Sequence, residues 1–191
     1  MDGITISAFS YYGLSKYLLS KKYDFLIVDK ILSTINSVNT VSFTPFFPKT
    51  TIKLFNGYMI YDFLNIILNK NMFKKNFKEY ILHHACSISA GCAAMIYNRT
   101  DIIMDFYKLE FTVPITNILW ICHNYNIKNC NVTMLKILLL LTYSYYRIYY
   151  TLTLLYKYYN NNSNYLILFT TLSFCLLNIN WYIKIIRIAL K

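Results

Sequence analysis

Nineteen consecutive residues, Tyr165 to Ile183, carry no charged side chain, and an apolar run of that length is suited to crossing a bilayer as a helix. Lipid offers the backbone no water to bond, so a spanning segment must be a helix or belong to a closed barrel. The rest of the chain repeats the pattern less cleanly, with apolar stretches at Ile4–Leu19, Phe25–Phe47, Leu54–Leu68, Tyr80–Tyr97, Ile102–Cys122 and Met134–Tyr156. Across 191 residues, 57% are hydrophobic and 14% charged, outside the range of an ordinary soluble domain. The expected fold is all-α, a multi-pass transmembrane bundle of about seven spans, with six as the alternative. Residues 1–24 are read as a first span and its loop, and 25–191 as the main transmembrane domain. MDGITISAFS has no basic leader region, so the first apolar run is expected to be retained.

The net charge of +11 would suit a nucleic-acid binder only if Lys and Arg gathered on one face. They lie between the apolar stretches instead, which is membrane-flanking charge, and no nucleic-acid partner is expected. With seven spans, one side collects eleven basic residues (Lys21, Lys22, Lys70, Lys74, Lys75, Lys78, Lys128, Lys136, Lys184, Arg187 and Lys191) and the other collects four (Lys49, Lys53, Arg99 and Lys157). The positive-inside rule then puts the C-terminus in the cytoplasm and the sequons at Asn98 and Asn161 in the lumen, with Asn131 on the cytoplasmic side. The five cysteines form no CxxC pair, fall mostly in apolar segments, and predict no disulfide framework.

Ionisable groups inside these stretches are costly in lipid and point to function. His83 and His84 sit together in YILHHACSISAGCAAMIY, where Ser87, Gly91 and Ala94 also make a small-residue face for close helix contact. Asp62 is the one charge in Leu54–Leu68, and Glu110 and Asn117 lie two helical turns apart in the fifth stretch, where Pro114 should bend the helix. Arg147 needs an acidic partner or must snorkel. Asp29, Lys30, Asn36 and Asn39 should turn the second stretch towards other helices.

Three histidines are too few for membrane di-iron chemistry, and the four glycines never form a Gly-x-Ser-x-Gly elbow. Adjacent histidines on a helix point about 100 degrees apart, so no metal site is expected at His83 and His84. What remains is lipid recognition, or acid-base work by a histidine with a carboxylate neighbour.

Several ordered blocks resemble the TLC-domain family of multi-spanning membrane proteins, the TRAM, LAG and CLN group, and most closely its small members. Gly57-Tyr58 followed by Asp62 resembles the family's GY-x-x-x-D helix. ILHHACS resembles its His-His helix, and LEFTVPITNILW, with Glu110, Pro114, Asn117 and Trp120, resembles its E-x-x-x-P-x-x-N-x-R-W segment. Arg147 in YYRIYY and the block NINWYIKI resemble two later ones. Leu119 stands where the family commonly has Arg, and Asn36 where related proteins often have His. DIIMDFYKLE lacks the His-Asp opening of the ceramide-synthase motif.

The resemblance implies a protein that binds or handles membrane lipid, with Asp62, Glu110, Pro114, Asn117 and Trp120 lining the lipid site and His83 and His84 as candidate catalytic residues. Its alternative implication is an acyl-CoA-dependent N-acyltransferase, with acyl-CoA as co-substrate and no bound cofactor. A weaker one is assistance to membrane-protein insertion. An internal membrane resembling the endoplasmic reticulum is the expected location, and a homo-oligomer is compatible with the sequence.

Overall fold

The computed structural model describes residues 3–73, 76–127, 130–161 and 164–189. Every regular element among them is helical. The order is α1 (Gly3–Ser20), α2 (Phe25–Phe43), α3 (Pro48–Leu68), α4 (Phe77–Ile96), α5 (Thr100–Phe106), a 3-10 turn (Tyr107–Phe111), α6 (Thr112–Asn124), α7 (Cys130–Thr142), a π-helical segment (Tyr143–Tyr149), α8 (Tyr150–Asn160) and α9 (Tyr165–Ala189).

Local chemistry sets these boundaries. The Asp24 side chain accepts from the Leu26 amide at 2.8 Å and caps α2. Asn98 and Asn126 hold φ of 51° and 53° after α4 and α6, a left-handed conformation that Asn tolerates. The next amides then bond back, Arg99 to Ala94 O at 2.8 Å and Ile127 to Cys122 O at 2.9 Å, closing both helix ends in the same way.

Three boundaries differ from the sequence reading. Residues 48–53, left between the apolar stretches Phe25–Phe47 and Leu54–Leu68, form the first turns of α3: Pro48 takes the N-terminal position, where a missing amide hydrogen costs nothing. In the fifth stretch the regular pattern gives way to the 3-10 turn rather than running through to Cys122. A proline ring at position 114 collides with the carbonyl four residues back, Glu110, and so disfavours α-helix there. Glu110 and Asn117 are both buried, but only Asn117 belongs to the following helix. The sixth stretch contains the π-helical segment, which hydropathy cannot reveal. Lys74, Lys75, Lys128 and Lys191, four of the charges used for orientation, lie outside the described residues.

The chain divides into two compact units, residues 1–107 and 108–191. In the first, α3 is central and packs on α1 and α4, with α2 against both α1 and α3. Two glycines permit the closest approaches. Gly57 meets Ser7 and the Ile4 carbonyl of α1, and Gly91 meets the Asn56 amide of α3. Ser7 Oγ donates to Leu54 O at 2.9 Å beside the first contact. Tyr11, Val28, Leu32, Tyr58 and Met59 form the apolar core here. In the second unit, α9 packs along α8 and the π-helical segment, and α6 packs on α7.

Both units reverse the polarity of a soluble bundle. Asp29, Asn36, Asn56, Asp62, His84, Arg147, Thr151 and Asn178 are buried, whereas Phe9, Leu64, Leu68, Leu141, Phe169 and Leu176 are exposed. Buried polar groups beneath a large apolar surface are the informative departure from ordinary burial. One helix among the described residues is long and apolar enough by itself to cross a membrane, over Tyr165–Arg187 with mean hydropathy 1.6.

Candidate functional site

The first unit joins Asp62 to one of the two histidines. His84 Nε2 lies 2.7 Å from Asp62 Oδ2, and His84 Nδ1 lies 2.8 Å from the Tyr80 carbonyl oxygen one turn earlier on α4. A carbonyl only accepts, so Nδ1 carries a hydrogen. The Tyr58 hydroxyl donates to the same Asp62 oxygen at 3.3 Å. Tyr58 stands four residues before Asp62 on α3, the spacing that aligns two side chains on one helix face. Both His84 nitrogens are therefore engaged, and neither is left over for a substrate while Asp62 holds its place.

His83 is half-buried, and its ring stands nearly perpendicular to that of His84, at 87° with centroids 5.2 Å apart. The roughly 100-degree step between adjacent helical residues explains the split. His84 points into the interface with α3, and His83 points to one side of it.

Helix α2 supplies two charged neighbours that the sequence reading left out of the site. Lys30 Nζ pairs with Asp29 Oδ2 at 3.0 Å and lies 6.0 Å from the centre of the Tyr80 ring. Asp29 is close enough to interact directly with Asp62. Buried Asp29, Asp62 and His84 and the half-buried Lys30 thus share one cluster, whose charges balance when His84 carries a proton. A signal for Asp29 did exist in the sequence. Asp29, Asn36 and Thr40 follow spacings of seven and four, one stripe along α2, and all three are buried.

The second unit holds the other expected residues. Glu110 Oε1 lies 3.8 Å from Arg147 Nη2, so Arg147 does find an acidic neighbour. Its Nε donates to Thr112 Oγ1 at 2.9 Å. Asn117 is buried, and Pro114 and Trp120 are half-buried on the same helix. Asp62, His83 and His84 belong to one compact unit, and Glu110, Pro114, Asn117 and Trp120 to the other. Among the described residues, no group of three or more His, Cys, Asp and Glu side chains is arranged to hold a metal ion. Cys86, Cys92, Cys122 and Cys175 are free thiols.

A family model for the TLC domain matches residues 3–187, nearly the whole chain. The chain belongs to the TLC-domain family. No curated protein and no solved structure gives a significant match. Membership makes this a membrane protein of a family linked to lipid metabolism, and the TLC match covers both compact units, with α1 included.

Proposed function

We propose that this TLC-domain protein is a multi-pass membrane protein that binds or handles lipid and so influences membrane lipid composition. The observation that carries the reading is the cluster of buried Asp29, Asp62 and His84 with half-buried Lys30, in helices that expose large apolar side chains. A water-soluble surface has no use for that arrangement, whereas charged groups inside a membrane bundle face its interior or a wet cavity and usually have a task. The apolar surface takes the acyl chains, and the interior polar groups take part of the headgroup. In this reading the chain makes about seven spans across an internal membrane, with the C-terminus in the cytoplasm.

The doubly engaged His84 favours binding over catalysis. A general base needs a nitrogen within reach of the substrate proton, and His84 uses one on Tyr80 O and the other on Asp62. The acyl-CoA-dependent N-acyltransferase reading therefore requires either His83 as the base or a substrate that displaces Asp62 from His84.

The test is to purify the full chain in mild detergent and identify its co-purifying lipids by mass spectrometry against the bulk membrane. One lipid class should be enriched, and Asp62→Asn should reduce it. A lipid profile equal to the bulk membrane would sink the proposal. Membranes carrying wild-type chain, His83→Ala or His84→Ala, supplied with acyl-CoA and a long-chain amine, decide the enzyme reading: product lost in a variant assigns the base.

A further inference from the structure

The π-helical segment in the second unit buries a second polar site that the His84 cluster does not explain. Such segments are rare, and frequently occur at functional positions. Here the Tyr150 amide bonds to Tyr145 O, five residues back. The widened turn places Tyr143 and Arg147 side by side in the interior, 4% and 5% exposed. Tyr143 stacks on Tyr182 of α9, with centroids 5.8 Å apart and planes 4° apart. Ser144 bonds to the Tyr182 hydroxyl. Thr151 Oγ1 donates to Arg147 O at 2.9 Å and receives Asn178 Nδ2 at 3.4 Å. The backbone of the segment is thereby held from both α8 and α9.

The hydrogen-bonding groups inside this frame are incompletely used. Arg147 has five N–H donors. Among the described residues it makes one hydrogen bond, to Thr112, and its contact with Glu110 is too long to be another. Among the described residues the buried Tyr143 hydroxyl also has no hydrogen-bond partner. Leaving a buried polar group unmade is expensive, and an Arg beside a hydroxyl is suited to the oxygens of a phosphate. Glu110 offsets the Arg147 charge, which favours a singly charged phosphodiester over a dianion. The outer faces of these helices expose Leu141, Tyr145, Leu152, Phe169, Leu172 and Leu176, so the acyl chains of such a ligand have apolar surface beside the site.

We infer that Arg147 and Tyr143 form a binding site for the phosphodiester of a membrane phospholipid. Arg147 Nη and the Tyr143 hydroxyl both donate to the phosphate oxygens. The site rests on the lipid-handling reading for its ligand's acyl chains and on no residue of the His84 cluster.

The test uses the purified full chain in micelles and four probes: dioctanoyl phosphatidylcholine, dioctanoyl phosphatidylglycerol, dioctanoylglycerol and dimethyl phosphate. Both phosphodiester lipids should bind at least ~10-fold more tightly than dioctanoylglycerol, as expected for charge-assisted hydrogen bonds. Dimethyl phosphate alone should bind far more weakly than either. Tyr143→Phe should weaken phospholipid binding about tenfold while leaving the ligand-free protein as stable as wild type or more so, because the orphan hydroxyl is gone. Arg147→Lys should also weaken binding, since an ammonium lacks the planar fork.

Equal binding of the phospholipids and dioctanoylglycerol would overturn this site and leave lipid handling standing. Dimethyl phosphate binding as tightly as the lipids would assign the site to a soluble phosphodiester and overturn the lipid ligand. Failure to bind any lipid would count against both readings. Unchanged affinity in a folded Tyr143→Phe protein would remove Tyr143 from the site and overturn the proposal.

Discussion

Gly91→Ala should destabilise the first unit, and removing the Asn56 amide should reverse the sign of the effect. An added Cβ at Gly91 would lie 2.6 Å from both Cγ and Nδ2 of Asn56 and closer still to Oδ1. Asn56 is wholly buried, so its amide has nowhere to swing, and α3 and α4 must part. Overpacking of this kind costs about 1–3 kcal/mol. The replacement also gains about 1 kcal/mol from the better helix propensity of Ala, which leaves a net loss of about 1–2 kcal/mol when the overpacking lies in the upper part of its range. In an Asn56→Ala background the clash is absent, so the same change should stabilise by roughly 1 kcal/mol. The two positions should therefore be coupled by about 2–3 kcal/mol. The four proteins can be compared by thermal or SDS unfolding in micelles, followed by helical circular dichroism. Additive effects, or a stabilising Gly91→Ala in the wild-type background, would refute the account of how α3 meets α4.

Asp62→Ala should destabilise by about 3 kcal/mol because it strands His84 without its carboxylate, and the paired change with His84→Leu should recover much of that loss in the same unfolding assay. Recovery below a fifth of the loss would mean that the two side chains are not partners. Arg147→Met should be more harmful alone than together with Glu110→Gln, since the single change takes the Arg147 cation away from a buried carboxylate; equal stability of the two proteins would argue that the 3.8 Å pair contributes nothing. For orientation, expression in cells with a glycosylating internal membrane should give a mobility shift that is lost on Asn98→Gln or Asn161→Gln and insensitive to Asn131→Gln. A shift abolished only by Asn131→Gln would invert the topology.

Much of the helical layout is legible in residue order, because apolar stretches broken by Lys, Asn and Pro mark helices wherever they pack. The small-residue face of Ser87, Gly91 and Ala94 is similarly legible, and all three are buried on α4. The site was only half legible. Asp62 and His84 stand out as rare charges in apolar runs. Asp29 shows only through its stripe with Asn36 and Thr40, and Lys30, in a stretch already rich in polar residues, carries little signal of its own. The π-helical segment left no trace, since i+5 bonding depends on how Tyr143 and Arg147 are held against α9 rather than on composition.

Sequence alone determined that this chain is helical and membrane-borne, that its few ionisable groups include several set within apolar stretches, and that its ordered motifs are those of a TLC domain. These are properties of composition, spacing and order along one dimension. Tertiary structure decided which histidine meets Asp62, that Lys30 and Asp29 join them, and that Arg147 finds both Glu110 and Thr112. Those pairings depend on the register between helices, here locked by Gly57 against Ser7 and Gly91 against Asn56 in the first unit. Contact geometry at that scale follows from close packing between distant segments, which no local stretch of sequence contains.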